Sequence, residues 1–118
     1  MKIGYARVST QDQILDMQID ELKLAKCQQI FQEKISSGKE RPQLLKMLEM
    51  LREGDTVVVY KLDRLGRSLR ELVNLIAQLE ERKIEFISLK DAIDTSTAQG
   101  RFFLNIFASL AEFERDII

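Results

Sequence analysis

Two short segments concentrate side chains suited to handling a phosphate: YARVS, with Tyr5, Arg7 and Ser9 at alternate positions, and KLDRLGR over Lys61–Arg67. In an extended strand the first three residues share one side while Gly4, Ala6 and Val8 share the other. An arginine inside a strand covered on both faces is costly unless something anionic meets it. Arg7 therefore calls for a bound anion or for an internal salt bridge to a carboxylate, and from this strand alone the internal pair is the simpler reading. Ser9 is either a helix cap or a nucleophile, and Thr10 with Gln13 can already form the capping box. Arg64 and Arg67 add planar forks matched to phosphate oxygens, and Gly66 relieves the backbone where the chain turns into the next helix. With Arg7 and Arg41 they could surround a phosphodiester and stabilise a pentacoordinate transition state without a metal.

Composition narrows the chemistry further. The 118 residues contain no histidine, no tryptophan and one cysteine, Cys27. That length fits one domain with its own core, and a lone cysteine forbids an internal disulfide framework and suits a reducing compartment. Without histidine there is no Ser/His/Asp or Cys/His triad and no ordinary zinc site. The formal net charge is −1, which is not the overall basicity typical of a nucleic-acid-binding domain. Between Lys61 and Arg70, however, Lys61, Arg64, Arg67 and Arg70 face only Asp63, a local +3. The N-terminus MKIGYARVS has no apolar export region, and the apolar stretch Phe102 to Phe113 is interrupted by Asn105, Ser109 and Glu112 and too short for a bilayer. A soluble cytoplasmic protein with no membrane partner is the expectation.

The elements that must position these groups follow from periodicity. β-rich runs at Lys2–Val8, Gln29–Gln32, Thr56–Tyr60 and Ile84–Ser88 alternate with helical patterns. This predicts an α/β fold in three layers, a mostly parallel sheet of four to five strands flanked by helices. The first helix, Gln11 to Lys26, places Leu15, Ile19, Leu22 and Ala25 on one stripe with Gln18 beside them. Pro42 opens a second helix carrying Leu45, Leu48 and Leu51, which Gly54 ends. Ser68 and Glu71 form a capping box for a third, with Leu69, Leu72, Val73, Ile76 and Leu79 inward. Ser96 and Gln99 start a fourth that runs to the chain end. Ligand sites of parallel sheets lie beyond the C-terminal ends of the strands, and there Ser9, Glu33, Lys61–Arg67 and Lys90–Asp94 converge. The last helix is apolar over more than one stripe: Phe102, Phe103, Ile106, Phe107, Leu110, Ala111 and Phe113 require a second partner surface or a central core position, and self-association is the preferred reading.

Taken together, YARVST (Tyr5–Thr10), KLDRLGR and the closing AEFER (Ala111–Arg115) resemble the serine recombinases, the resolvases and DNA invertases, in order and spacing over essentially the whole chain. DTSTAQGRFF (Asp94–Phe103) looks more like the invertase branch. The resemblance implies that Ser9 attacks a DNA phosphate, forming a 5′-phosphoserine bond and releasing a 3′-hydroxyl. It implies a guanidinium cage of Arg7, Arg64 and Arg67, with Asp63 handling a proton or orienting the arginines. Tyr5, Gln13, Gln18, Arg41, Lys61 and Glu114 match the wider active site or its activation machinery. Glu33 stands where relatives often carry aspartate. Neither metal nor ATP nor any other cofactor is implied. The partners would be DNA, a second copy in a homodimer and a synaptic homotetramer exchanging strands by rotation of subunit pairs, with the last helix as the dimer contact. An arginine-rich field favouring the serine alkoxide would replace the missing histidine.

Two other classes compete. A metal-dependent nuclease would use Glu33, Asp63, Asp91 and Asp94 around Mg²⁺, although the interleaved arginines repel a cation. A non-catalytic dimerising module of receiver-like architecture would need none of the arginines. The family reading assigns residues 1–118 to a catalytic domain and expects a helix-turn-helix DNA-binding domain outside them. These residues alone should then bind DNA weakly and without site preference, because most phosphate and base contacts lie elsewhere. A gel-shift titration checks this, and site-specific nanomolar binding would contradict it.

Overall fold

Which helix covers which face of the sheet is decided by alternation along its central strands. The computed structural model describes residues 1–9, 12–35, 40–66 and 68–116, without the side chains of 12, 13, 115 and 116. The elements run β1 (Lys2–Val8), α1 (Asp12–Leu24), β2 (Gln29–Lys34), α2 (Pro42–Met50), β3 (Thr56–Val59), a 3-10 turn (Leu62–Arg64), α3 (Leu69–Glu81), β4 (Glu85–Ser88), β5 (Ile93–Asp94) and α4 (Ala98–Asp116). The strand order is β2-β1-β3-β4-β5, parallel except for β5, which pairs antiparallel with β4. On one face Ala6 and Val58 meet Leu22 of α1. On the other, Ile3, Tyr5, Val57 and Val59 join Leu44 and Met47 of α2, Leu72, Ile76 and Leu79 of α3 and Leu104 of α4. The expected three layers are present, with the short antiparallel β5 completing the upper count of strands.

Of the residues read onto the helix from Pro42, Leu51 is buried and Leu48 packs half-buried against the core, but Leu45 does not. Leu44, Met47 and Leu51 are buried, while Leu45 is 56% exposed. The reason is remote from the helix. Glu33 on β2 accepts from the backbone N–H groups of Gln43 and Leu44 at 3.1 Å each, and Arg82 beyond α3 donates to the carbonyls of Leu48 and Leu51 at 2.9 and 2.8 Å. A carboxylate at one end and a guanidinium at the other each match the helix dipole and satisfy terminal backbone groups. α2 already ends at Met50, and Gly54 lies in the following turn at φ +94° instead of capping the helix.

Two expected helix starts can be compared. Ser68 Oγ accepts from the Glu71 N–H at 3.1 Å, as the capping box requires. For α4 the cap is Thr97, whose Oγ1 accepts from the Gly100 N–H at 2.9 Å. Ser96 instead turns back to Asp94 Oδ1 through its N–H and hydroxyl, at 2.9 and 2.7 Å. The Thr10–Gln13 box lies outside the described residues.

Along α4, Leu104 is buried and Phe103, Phe107 and Ala111 are half-buried, whereas Phe102 and Phe113 are 61% and 60% exposed, with Ile106 and Leu110 exposed between them. One stripe thus joins the body of the protein and another faces solvent. No helix among the described residues is long and apolar enough to cross a membrane.

At the base of α4 a Cβ on Gly100 would come within 1.9 Å of the Asp94 carbonyl oxygen. Neither backbone can yield cheaply there. Gly100→Ala should therefore lower stability by about 1–3 kcal/mol, measured by urea unfolding. An unchanged midpoint would show that α4 does not sit this close to β5.

Candidate active site at the C-terminal edge of the sheet

The chain runs from β1 to β2 on one side and returns to β3 on the other, so the crevice where ligands bind in such sheets opens above β1 and β3. Arg7 and Ser9 stand at the end of β1, and the Leu62–Arg64 turn follows β3. Ser9 is exposed. Arg7 is 9% exposed and lies in register with Glu33 of β2, so an internal salt bridge would be easy to make. It is not made. The Arg7 guanidinium donates to the carbonyls of Asp63 at 3.0 Å and Ile35 at 3.5 Å, its Nε has no acceptor, and no carboxylate pairs with it among the described residues.

Glu33 is committed elsewhere. Besides the two N–H groups of α2, its carboxylate accepts the Tyr5 hydroxyl at 2.5 Å. Burial first, then the hydrogen bond and the charge of Glu33, push the Tyr5 phenol well above its ordinary pKa, so it remains a donor. Arg41 is likewise engaged: it donates to the Leu65 carbonyl and, at 2.7 Å, to Glu71 Oε1. This ties the entry of α2 to the segment leading into α3.

A second guanidinium joins Arg7. Arg64 approaches the Arg7 carbonyl at 3.5 Å through its terminal nitrogen, and its Nε lies 3.5 Å from Asp63 Oδ1. Gln18, fully buried, donates to the same Arg7 carbonyl at 3.2 Å, and its own Oε1 accepts from no donor among the described residues. The Asp63 side chain is 70% exposed, beside the open edge. Lys61 and Lys90 are exposed, with their ammonium groups 6.0 and 5.6 Å from the Tyr60 ring centroid. Gly66 is required by close packing: a Cβ there would fall 2.6–2.8 Å from the backbone and Cβ of Leu72.

Of the residues singled out in the sequence, Tyr5, Arg7, Ser9, Gln18, Glu33, Arg41, Lys61, Asp63 and Arg64 gather at this edge. Glu114 is exposed on α4 and makes no hydrogen bond or ion pair among the described residues. Arg67 and the Gln13 side chain lie outside the described residues. Among those described, no cluster of acidic, cysteine or histidine side chains is arranged to hold a metal. Three of the four carboxylates considered for Mg²⁺ have tasks of their own: Glu33 as above, Asp94 on Ser96, and Asp91 on Ser88 and Leu62. The last contact was not legible in any local spacing, and neither was the Arg41–Glu71 pair.

The edge therefore carries an exposed Ser9 two residues along the chain from Arg7, and two guanidinium groups, the more buried of which pairs with no carboxylate among the described residues. Comparison with known proteins gives the family. The family described as the resolvase N-terminal domain matches residues 2–118. The chain belongs to this resolvase family. It is 55% identical to the transposon Tn917 resolvase of Enterococcus faecalis over its whole length, and 53% identical to the DNA-invertase hin of Salmonella typhimurium over 98% of it. It spans 65% and 62% of those relatives' lengths. Resolvases and invertases thus match about equally well over the whole chain. Among solved structures, the N-terminal catalytic domain of TP901-1 integrase superposes with a TM-score of 0.79 at 36% identity, covering 99% of this chain and 98% of that one. A resolvase family site-specific recombinase from Streptococcus pneumoniae gives 0.81 at 25% identity, covering 98% and 89%.

The Tyr5–Glu33 bond in this resolvase-family domain has a measurable signature. The folded state holds the phenolic proton more tightly than the unfolded chain, whose tyrosines release it near pH 10. Its stabilising contribution is fully present below that pH and is lost as pH rises above it. The stability margin of the wild type over Tyr5→Phe should be constant to about pH 9 and then fall by up to about 1.4 kcal/mol per pH unit above about pH 10. Urea unfolding across pH reads this difference, and a margin that stays flat at high pH would contradict it.

Proposed function

We propose that this chain is the catalytic domain of a site-specific DNA recombinase of the resolvase and invertase type, which cleaves and rejoins DNA through a 5′-phosphoserine intermediate. The observation that carries this reading is the Arg7 guanidinium, buried at the end of β1, paired with no carboxylate among the described residues and two residues from an exposed Ser9. A phosphodiester seated at the edge supplies the missing anion. Ser9 Oγ attacks the phosphorus, a Ser9–phosphate bond forms as the bond to the 3′ oxygen breaks, and that oxygen leaves as a hydroxyl after taking a proton. Rejoining is the reverse, and since one phosphate ester replaces another, the exchange is close to thermoneutral and needs no ATP.

The residues divide the work. Arg7 and Arg64, with Arg67 from the same motif, neutralise the phosphoryl oxygens as charge develops and lower the cost of the Ser9 alkoxide. Asp63, at the open edge beside Arg64, orients that guanidinium or takes part in proton transfer. Tyr5, Gln18, Glu33 and Arg41 hold the framework, and Lys61 lies where a DNA backbone would pass. The solvent-facing Phe102, Ile106, Leu110 and Phe113 are the surface for a second copy in a homodimer, joined in pairs into a tetramer when two DNA sites are synapsed. Such a protein works in the cytoplasm, where its DNA is, and takes its site preference from a DNA-reading domain such as a helix-turn-helix.

The test uses supercoiled plasmids carrying fragments of the source organism's genome, incubated in EDTA and quenched with detergent. The wild-type protein should leave a covalent adduct on 5′ ends, and Ser9→Ala should leave none while still binding DNA. An adduct that survives Ser9→Ala, or cleavage that requires a divalent metal and leaves no adduct, would refute the reading.

A further inference from the structure

Both arginines depend on the Leu62–Arg64 turn, and the turn has an anchor outside the motif. The Asp63 carbonyl accepts from Arg7, and Arg64 crosses the end of β1, so a small shift of the turn moves both guanidinium groups relative to Ser9. A three-residue 3-10 turn makes few bonds of its own. At its first residue the Leu62 N–H donates to Asp91 Oδ2 at 2.9 Å, and the same oxygen accepts the Ser88 hydroxyl at 2.6 Å. Ser88 is the last residue of β4 and fully buried, so the carboxylate is braced by the sheet.

We infer that Asp91 is a positioning residue for DNA cleavage, holding the Leu62–Arg64 turn against the end of β4 so that Arg7 and Arg64 keep their place beside Ser9. It touches neither the nucleophile nor, by its location, the scissile phosphate, and acts only through the turn. This rests on the functional reading given above. Because one oxygen takes both bonds, an amide oxygen can replace it: Asp91→Asn keeps an acceptor for Leu62 and Ser88, while Asp91→Leu keeps much of the volume and has none.

The experiment measures the rate of adduct formation on the same plasmids at saturating DNA, DNA affinity in a gel shift, and thermal unfolding, for the wild type, Ser9→Ala and both Asp91 variants. Displacing groups by about 1 Å costs up to a hundredfold in rate, so Asp91→Leu should slow adduct formation by about ten- to a hundredfold with DNA affinity unchanged, and Asp91→Asn should stay within about threefold of the wild type. A positioning role is overturned if Asp91→Leu forms adduct at the wild-type rate, if its loss is matched by lost DNA binding or unfolding, or if Asp91→Asn is as slow as Asp91→Leu. A wild type that forms no Ser9-dependent adduct would instead overturn the functional reading, and this role with it.

Discussion

A guanidinium buried at the end of a central strand without a carboxylate is expensive, and much of this fold's edge is arranged around that one expense. Removing a charge from water costs several kcal/mol unless partners compensate, and among the described residues Arg7 meets two backbone carbonyls, with Nε left over. The site is not short of acid nearby, since Glu33 stands opposite in the β1–β2 register. It is the diversion of Glu33 to Tyr5 and to the first turn of α2 that keeps Arg7 uncompensated. The same carboxylate thus builds a helix and leaves a positive charge available to an anion.

Around this point the connections are long-range. α2 is held at its start by a residue of β2 and at its end by Arg82 beyond α3. Arg41 links α2 to Glu71 and to the Leu65 carbonyl in the segment before α3. Gln18 of α1 and Arg64 of the 3-10 turn meet on the same Arg7 carbonyl. α1 is therefore tied to β1 through Gln18, and the entry of α2 to the loop after β3 and to α3 through Arg41.

Much of this was legible in the sequence. Alternation in YARVS separated the two faces of β1, the Ser68–Glu71 box started α3 where expected, and Lys61 and Arg64 after β3 fell at the edge where ligands bind. What escaped was whatever depends on contacts between distant residues. In α2 the reading missed Leu44 and Met47 and included the exposed Leu45, in a helix whose start is held by Glu33 and not by a local side-chain cap. The choice for Arg7 between an internal pair and a bound anion stayed open, because β1 by itself made the pair the simpler reading and the three donors that hold Glu33 come from remote positions. Asp91 figured in the sequence only as a candidate metal ligand, because its bond to the Leu62 N–H joins residues far apart in the chain. The shift of the α4 cap from Ser96 to Thr97 has the same origin, since Asp94 captures Ser96 first.

If the uncompensated charge at β1 is the seat of a DNA phosphate, the side-chain N–H resonances of Arg7 and Arg64 must sense it. They can be followed by NMR in isotope-labelled Ser9→Ala protein, where no covalent bond can form, as a short DNA duplex is added. Both signals should move together and saturate at the same DNA concentration, and reverse when salt is raised. If they stay in place while backbone signals elsewhere report full binding, the phosphate sits somewhere else and the arginine pair has a purely structural role.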